Sequence, residues 1–400
     1  MQKPTNKIFY LDGIRGVAAF MVVIHHFLLA FYPSYYTLDK QASHINNLDV
    51  QFGMSLFSVL ANGDFCVCIF FVLSGYVLSR KYFLTNQLDV LISGAQRRFV
   101  RLYIPVATAL LLAAMLMQLH LIYNTPVSLI SHSEWWFMEQ WRIPHLWQRL
   151  CQCLVYKTMF YGDNSFVTSM WTISIELYGS LFVFAFLALT HNTYNRIFML
   201  IMCMLYFIHD RYMIAFALGI SLNYIEVYKD IIAGPARYIA PALLLIAGLI
   251  LGSYPTNEDI GRAIQFTVFR RLPQVIVSGF NYTWYHTAGA YLLILAFVFS
   301  PRLQHFVSLR LFRFLGYISF SIYLLHPLVL GSVSSYAFLG LYGTLGYNQA
   351  ALCAFLITIS VSIGAAWLMS KYIDDKGIKL AHYIYRRFAK KIPAEPELFS

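Results

Sequence analysis

Charged side chains are scarce in this sequence. Lys, Arg, Asp and Glu together make up 12% of its 400 residues, whereas hydrophobic residues make up 59%. This charged share is about half that of a soluble domain. Several apolar runs approach the roughly 20 residues that cross a bilayer as a helix, and the alternating pattern of barrel strands is lacking. The composition therefore predicts an all-α, polytopic integral membrane protein.

Other common signals are missing as well. Cys66 and Cys68, like Cys151 and Cys153, are spaced as C-x-C, not as the C-x-x-C of redox or zinc sites. We expect the cysteines to fill helices and expect no metal; a disulfide at Cys151 or Cys153 outside the membrane is the alternative. No signal-peptide cleavage site follows the first apolar run, and no internal repeat or appended soluble domain is visible. Residues 1–400 are therefore interpreted as a single transmembrane domain.

The distribution of positive charge predicts the orientation of the chain. Of 29 Lys and Arg residues, 20 fall on the side of the N-terminus and 8 on the other, with Arg15 inside a span. Because cytoplasmic loops collect positive charge, both termini are expected in the cytoplasm. The net charge of +11 then indicates contact with a lipid bilayer and not with nucleic acid, and the basic segment 372–400 is expected to lie on anionic lipid. The ten predicted spans are 12–32, 64–84, 99–122, 168–190, 194–208, 212–228, 237–252, 286–300, 313–338 and 349–371.

The first span carries ionisable residues that a lipid-facing helix would lack. Arg15 and His26 are eleven residues apart, which at about 100° per residue is three full turns plus about 20°. The two side chains therefore share one face, about 16.5 Å apart along the axis. His25 lies about 80° away from Arg15 and is less well aligned, while Asp12 is within reach of Arg15.

Ionisable groups inside a membrane are costly and by default indicate function. The spacing suits a long anionic ligand, with its phosphates at Arg15 near the cytoplasm and its reactive end at His26. An imidazole is the side chain best suited to remove a proton from a hydroxyl near neutral pH. The alternative is that Arg15 snorkels to the inner surface while the histidines form hydrogen bonds between helices.

Five segments, in order along the chain, resemble the signatures of the membrane-bound acyltransferase family 3. The first has an Arg, ten residues and then a His, here Arg15 and His26. The second has an FFVLSG core, the third is basic, the fourth has Trp-x-x-x-x-Glu and the last has Tyr-Leu-x-His-Pro. The segments are LDGIRGVAAFMVVIHHF (11–27), NGDFCVCIFFVLSGYVLSRKYF (62–83), RRFVRLYIPV (97–106), MWTISIELYGSLFVF (170–184) and LGYISFSIYLLHPLVL (315–330).

The resemblance implies about ten transmembrane helices around a central cavity. It also implies transfer of an acyl group, usually acetyl from acetyl-CoA, to a hydroxyl of a carbohydrate or glycolipid acceptor. Many members carry an appended esterase-like domain, which we do not find in this sequence. Many also have Gly-Val-Asp before the FFVLSG core, where Cys66, Val67 and Cys68 stand here. The acid at that position is missing, so we assign it no role.

Roles are predicted for the polar residues of these segments. We assign His26 as the general base, Arg15 to the CoA phosphates and Asp12 to positioning Arg15, with a helix cap as the alternative for Asp12. Glu176 lies in an apolar helix and should face the interior. There it is expected to orient a histidine, bind acceptor hydroxyls or pair with a distant Arg. Arg98 and Arg101 share a face and are the second candidates for phosphate binding, with ordinary positive-inside anchoring as the alternative.

Four further residues are expected to line the substrate cavity: Ser74, Trp171, Tyr323 and His326. An acyl-serine at Ser74 is disfavoured because no base stands beside it in the sequence, and serine in a helix often bonds its own backbone. Tyr323 and His326 are three residues apart, and Pro327 should kink or weaken their helix. A packing role is the alternative for His326.

Two loops are candidates for acceptor recognition. The Trp-rich segment (131–150) is either an interfacial aromatic belt or a surface that stacks on sugar rings. The loop 253–285 carries Arg262, Arg270 and Arg271 and is a second candidate if the acceptor is anionic. A transporter or permease is the competing function, although no internal repeat of the transporter kind is visible. The expected location is a bacterial inner membrane, and the oligomeric state is left open.

Overall fold

The computed structural model describes residues 8–210, 212–228, 234–256 and 281–389. This part of the chain is helical and contains no β-strand, which confirms the all-α prediction. The helices are α1 (Phe9–Phe31), α2 (Ser34–Thr37), α3 (Leu48–Met54), α4 (Gly63–Thr85), α5 (Leu88–Gln118), α6 (Asn124–Ser131), α7 (Leu146–Gln152), α8 (Thr158–Tyr161), α9 (Trp171–Leu189), α10 (Arg196–Tyr206), α11 (Met213–Glu226), α12 (Ala236–Gly252), α13 (Asn281–Phe299), α14 (Pro301–Val307), α15 (Arg310–Val329), α16 (Ser335–Leu345), α17 (Tyr347–Met369) and α18 (Asp375–Ala389).

Each of the ten predicted spans coincides with an apolar helix. Within the described residues, six helices are long and apolar enough to cross a membrane, and α13 with α14 forms a seventh candidate that bends by 103°. The helices α10, α11 and α12 are apolar but shorter. The structure therefore confirms a polytopic helical membrane protein, whereas ten complete spans stay a prediction.

The close packing of α1 on α15 depends on glycine. A Cβ built on Gly16 would lie 2.4 Å from the backbone nitrogen of Gly316, and one built on Gly316 would lie 2.3 Å from the carbonyl oxygen of Asp12. Small residues let helix backbones approach in a membrane, where apolar surface alone gives little drive for helices to associate. This pair of glycines therefore fixes the register of α1 against α15.

The start of α4 is set by local hydrogen bonding. The side chain of Asn62 accepts a hydrogen bond from the Phe65 N–H at 3.0 Å, and Asp64 lies in the first turn. An Asn cap and an early acid both stabilise the amino end of a helix. A Cβ on Gly63 would lie 2.5 Å from the His25 ring, so this start of α4 lies directly against α1.

The C-terminal segment continues α17. A π-helical stretch, Ser370–Asp374, joins α17 to α18, and α18 packs beside α5, where the Arg97 guanidinium approaches the His382 ring. The described part of segment 372–400 is thus a helix, and residues 390–400 lie outside the described residues. Its predicted contact with anionic lipid stays a prediction.

Substituting Gly16 with alanine should lower the midpoint of thermal unfolding in detergent, because the new methyl group would meet backbone atoms of α15 that cannot move independently. Gly364→Ala in α17 is the matched control. A Cβ there has nothing within 4 Å, and replacing a helical glycine by alanine is favourable by about 0.5–1 kcal/mol. Equal midpoints for the two variants would contradict the proposed packing.

Candidate functional site

Arg15 and His26 both contact α15, as their predicted common face requires. The Arg15 Nε donates a hydrogen bond to the Ser319 hydroxyl at 3.2 Å. Three turns further along α1, the His26 Nδ1 lies 2.7 Å from the His326 Nε2. The predicted alignment of the two residues on one wall of α1 is therefore confirmed.

The three arginines predicted to bind phosphate lie together near the start of α1. Arg98 and Arg101 interact electrostatically with Arg15 and with each other. Two acids are close: Asp12 accepts from the Arg15 Nη2 at 2.5 Å, and Asp374 interacts with Arg101 and Arg15. We call Arg15, Arg98 and Arg101 the arginine cluster. The Arg15 side chain is 39% exposed and Arg101 is exposed, so these two are the accessible members.

Arg98 is buried and is engaged by α9. Its Nη2 forms an ion pair with Glu176, and its Nε donates to the Ser180 hydroxyl at 2.7 Å. The Ser74 hydroxyl of α4 donates to the same Glu176 oxygen at 2.7 Å. Of the alternatives for Glu176, the structure shows pairing with a distant Arg. Ser74 therefore supports this ion pair.

The His26 ring contacts two other rings. The Trp136 ring stacks on it at a centroid distance of 5.5 Å and an interplanar angle of 5°, and the His326 ring lies at 4.9 Å and 19°. Trp136 belongs to the Trp-rich segment, whose Trp135 stacks on Tyr36 at 5.5 Å. The Trp-rich segment therefore lies over the carboxyl end of α1, and its role in sugar recognition stays a prediction.

His25 is turned toward a different partner. Its Nδ1 lies 2.8 Å from the Ala61 carbonyl oxygen, which can only accept, and the Tyr35 hydroxyl approaches the same nitrogen. His25 also lines a small cleft with Tyr36, Asn62 and Thr256. The prediction that His26 and not His25 faces the same wall as Arg15 agrees with this geometry.

The Trp-rich segment is also joined to the residues that precede α9 by a hydrogen bond and an ion pair. The Trp141 Nε1 donates to the Phe166 carbonyl at 2.9 Å, and Arg149 pairs with Asp163. Burial would raise the pKa of Asp163, but hydrogen bonds from Ser165 and the charge of Arg149 lower it below the usual value. A lowered carboxyl pKa contributes stability that is present at neutral pH and is lost as the pH falls through that lowered pKa.

Tyr323 lies near His326, whereas Trp171 contacts a different aromatic ring. Tyr323 is buried, its hydroxyl lies 3.0 Å from the Thr172 hydroxyl, and its ring centroid is 6.3 Å from that of His326. Trp171 packs on Tyr212 with ring centroids 5.4 Å apart. A role for these two residues in substrate binding stays a prediction.

A second polar cluster escaped the sequence analysis. The Asp64 carboxylate accepts from the Tyr212 hydroxyl at 2.6 Å and lies 2.7 Å from the His286 Nδ1. The amide nitrogen of Asn62 lies 3.0 Å from the His286 Nε2. Asp64 precedes Cys68, where related sequences carry an acid, by one helical turn. Because residues four apart share a helix face, this spacing was a signal for Asp64, whereas no local pattern pointed to His286.

The fold and site define a helical membrane protein with paired ionisable groups among its apolar helices. A family model described as an acyltransferase domain matches residues 8–371. The chain belongs to that family, the membrane-bound acyltransferase family 3, and is an acyltransferase. No solved structure matches the chain.

Two curated relatives cover nearly the whole chain. It is 25% identical to the O-acetyltransferase PaAT-1 of Phomopsis amygdali, across 97% of this chain and 86% of that protein. It is 22% identical to Acyltransferase R4 of Phoma sp. (strain ATCC 20986 / MF5453), across 98% of this chain and 95% of that protein. The competing interpretation as a transporter is set aside by the family, while the bacterial inner membrane and cytoplasmic termini stay predictions.

Removing one member of the Arg98–Glu176 pair should destabilise the protein strongly, by about 3–5 kcal/mol, because the other charge is left buried. The double variant Arg98→Met, Glu176→Met removes both charges and should recover most of the loss. Unfolding midpoints of Arg98→Met, Glu176→Met and the double variant in detergent test this coupling. If the double variant unfolds at a midpoint no higher than that of the less stable single variant, an unpaired buried charge is not the cause of the destabilisation.

Proposed function

We propose that this protein transfers an acetyl group from acetyl-CoA to a hydroxyl of a carbohydrate-type acceptor, such as a surface polysaccharide, lipopolysaccharide or glycan precursor, with His26 as the general base. The observation that carries the proposal is the pairing of both Arg15 and His26 with α15 on one face of α1. This arrangement suits a donor with phosphate groups at one end and a reactive thioester at the other. The Phomopsis relative is an O-acetyltransferase, which supports an acetyl group and an oxygen acceptor.

The donor's phosphates are assigned to the arginine cluster. Guanidinium groups remain charged and bind phosphate in two places. Arg15 and Arg101 are accessible, so we place the phosphates on these two residues. Arg98 is engaged by Glu176 and supports the cluster through its charge. Asp12 and Glu176 then position arginines, and neither exchanges a proton with the substrate.

The acceptor is assigned to the opposite end of α1. Trp135, Trp136 and Tyr36 present aromatic rings beside His25 and His26, and such rings stack on the apolar faces of sugars. The loop 253–285 lies largely outside the described residues. Its Pro255 and Thr256 line the cleft next to His25, which keeps that loop a candidate for acceptor binding.

The reaction requires two proton transfers, one to His26 and one from it. His26 takes the hydroxyl proton as the acceptor oxygen attacks the thioester carbonyl carbon. The carbon–sulfur bond then breaks, the acetyl ester forms, and the CoA thiolate leaves and recovers the proton from His26. General base catalysis of this kind contributes about 10²–10⁴-fold to the rate. The donor is consumed as a co-substrate, and the chemistry proposed needs no metal.

Replacing His26 with alanine should lower acetyl transfer by about 10²-fold or more, while His305→Ala, at an exposed ring on α14, should retain most of the activity. Purified protein in detergent is given radiolabelled acetyl-CoA with a panel of sugars, and labelled sugar and free CoA are measured. Detergent-extracted protein yield controls for folding. Wild-type activity in His26→Ala would eliminate this residue as the base.

Arg15→Ala should weaken the binding of acetyl-CoA, whereas Arg15→Lys should restore it only in part because an ammonium cannot grip phosphate in two places. Arg142→Ala is the matched control, since Arg142 is exposed and paired with Glu139 outside the spans. Affinity for acetyl-CoA is measured by titration calorimetry in detergent. Unchanged affinity in Arg15→Ala would refute the phosphate role.

A further inference from the structure

The partners of His326 determine which of its nitrogens carries hydrogen. His326 is buried on α15, at 1% exposure. Its Nδ1 lies 2.8 Å from the carbonyl oxygen of Ile322, one turn earlier in the same helix. A carbonyl oxygen can only accept a hydrogen bond, so the His326 Nδ1 carries hydrogen. Neither a carbonyl nor a second imidazole compensates a buried positive charge, which favours the neutral ring.

The same reasoning extends to His26. A neutral imidazole has one N–H and one lone pair, so the His326 Nε2, opposite its N–H, is an acceptor. It lies 2.7 Å from the His26 Nδ1, which must therefore donate. The His26 Nε2 is left with the lone pair. The tautomer of each ring is thus assigned from the hydrogen-bond partners of its two nitrogens.

Pro327 lies inside α15, directly after His326. A proline inside a helix has no N–H for the carbonyl four residues earlier and pushes that turn open. Here that carbonyl belongs to Tyr323, and the Ser169 hydroxyl donates to it at 2.8 Å. Ser169 therefore satisfies the carbonyl that Pro327 leaves without an N–H donor, and the His326 ring lies against the neighbouring Ile322 carbonyl.

We infer that His326 is a positioning residue that holds His26 in the tautomer whose Nε2 is the base. The inference rests on the proposed function and deepens it. When His26 Nε2 takes the acceptor's proton, its Nδ1–H remains bonded to the neutral His326, and the later return of the proton to the CoA thiolate leaves both rings as they began. The stacked Trp136 ring opposes rotation of His26 away from this orientation.

The test compares two substitutions of His326. His326→Met is apolar and offers no acceptor, so we expect kcat to fall by about 10²-fold, in line with the loss of an oriented base, with the KM for acetyl-CoA nearly unchanged. His326→Gln places an amide oxygen at the same reach and should recover much of kcat. Acetyl-CoA consumption by purified protein gives both constants. A wild-type kcat in His326→Met, or equal losses in the Met and Gln variants, would overturn the inference.

A spectroscopic measurement separates this inference from the proposed function and does not depend on either variant folding. In wild-type protein labelled with ¹⁵N-histidine, the His26 signals are assigned by their absence in His26→Ala. We expect a protonated Nδ1 and a bare Nε2. A protonated Nε2 with a bare Nδ1 would overturn the inference outright. The expected tautomer together with full activity in His26→Ala would instead remove His26 as the base and leave the role of His326 in orienting the ring intact.

Discussion

The packing of α1 against α15 is the constraint on which the rest of the site depends. Gly16 and Gly316 bring the two backbones together, and the side chains on either side of this contact meet as two polar pairs. Arg15 reaches Ser319 near the amino end of α1, and His26 reaches His326 three turns further along the helix. A bulkier residue at the crossing would separate both pairs together. A steric feature with no chemistry of its own therefore sets the geometry of both polar pairs.

Three pairs of ionisable side chains connect helices in the described part of the interior. Arg98 with Glu176, Arg80 with Glu226 and Asp64 with His286 join helices that are distant in sequence. Charged groups are expensive inside a membrane, and an ion pair is tolerated there when hydrogen bonds satisfy its remaining atoms. Ser74 and Ser180 do this for the Arg98–Glu176 pair. The arginine cluster differs, because Arg15 and Arg101 remain accessible to a ligand.

The sequence predicts what depends on local periodicity. Composition indicated a helical membrane protein, the apolar runs coincide with helices, and the phase of Arg15 and His26 predicted their common face. Pairings between distant helices carry no local signal, so the Arg98–Glu176 pair and the His286–Asp64 pair could not be located in advance. His326 was noticed through its motif, but only the packing of α15 shows that it meets His26. The Trp-rich segment was expected to be either an interfacial aromatic belt or a surface that stacks on sugar rings, whereas the stacking of its Trp136 on the His26 ring depends on the fold of the loop.

The separation of these partners along the chain has a consequence for biosynthesis. Arg15 has an acid three residues away in Asp12, so its charge can be balanced as soon as the first helix leaves the ribosome. The partner of His26 is synthesised 300 residues later. Until then an unpaired neutral imidazole costs far less free energy in the bilayer than an unpaired guanidinium would. In the nascent protein, Arg15 therefore already has the Asp12 carboxylate beside it. The His26 ring acquires a fixed orientation only once nearly the whole chain has been inserted.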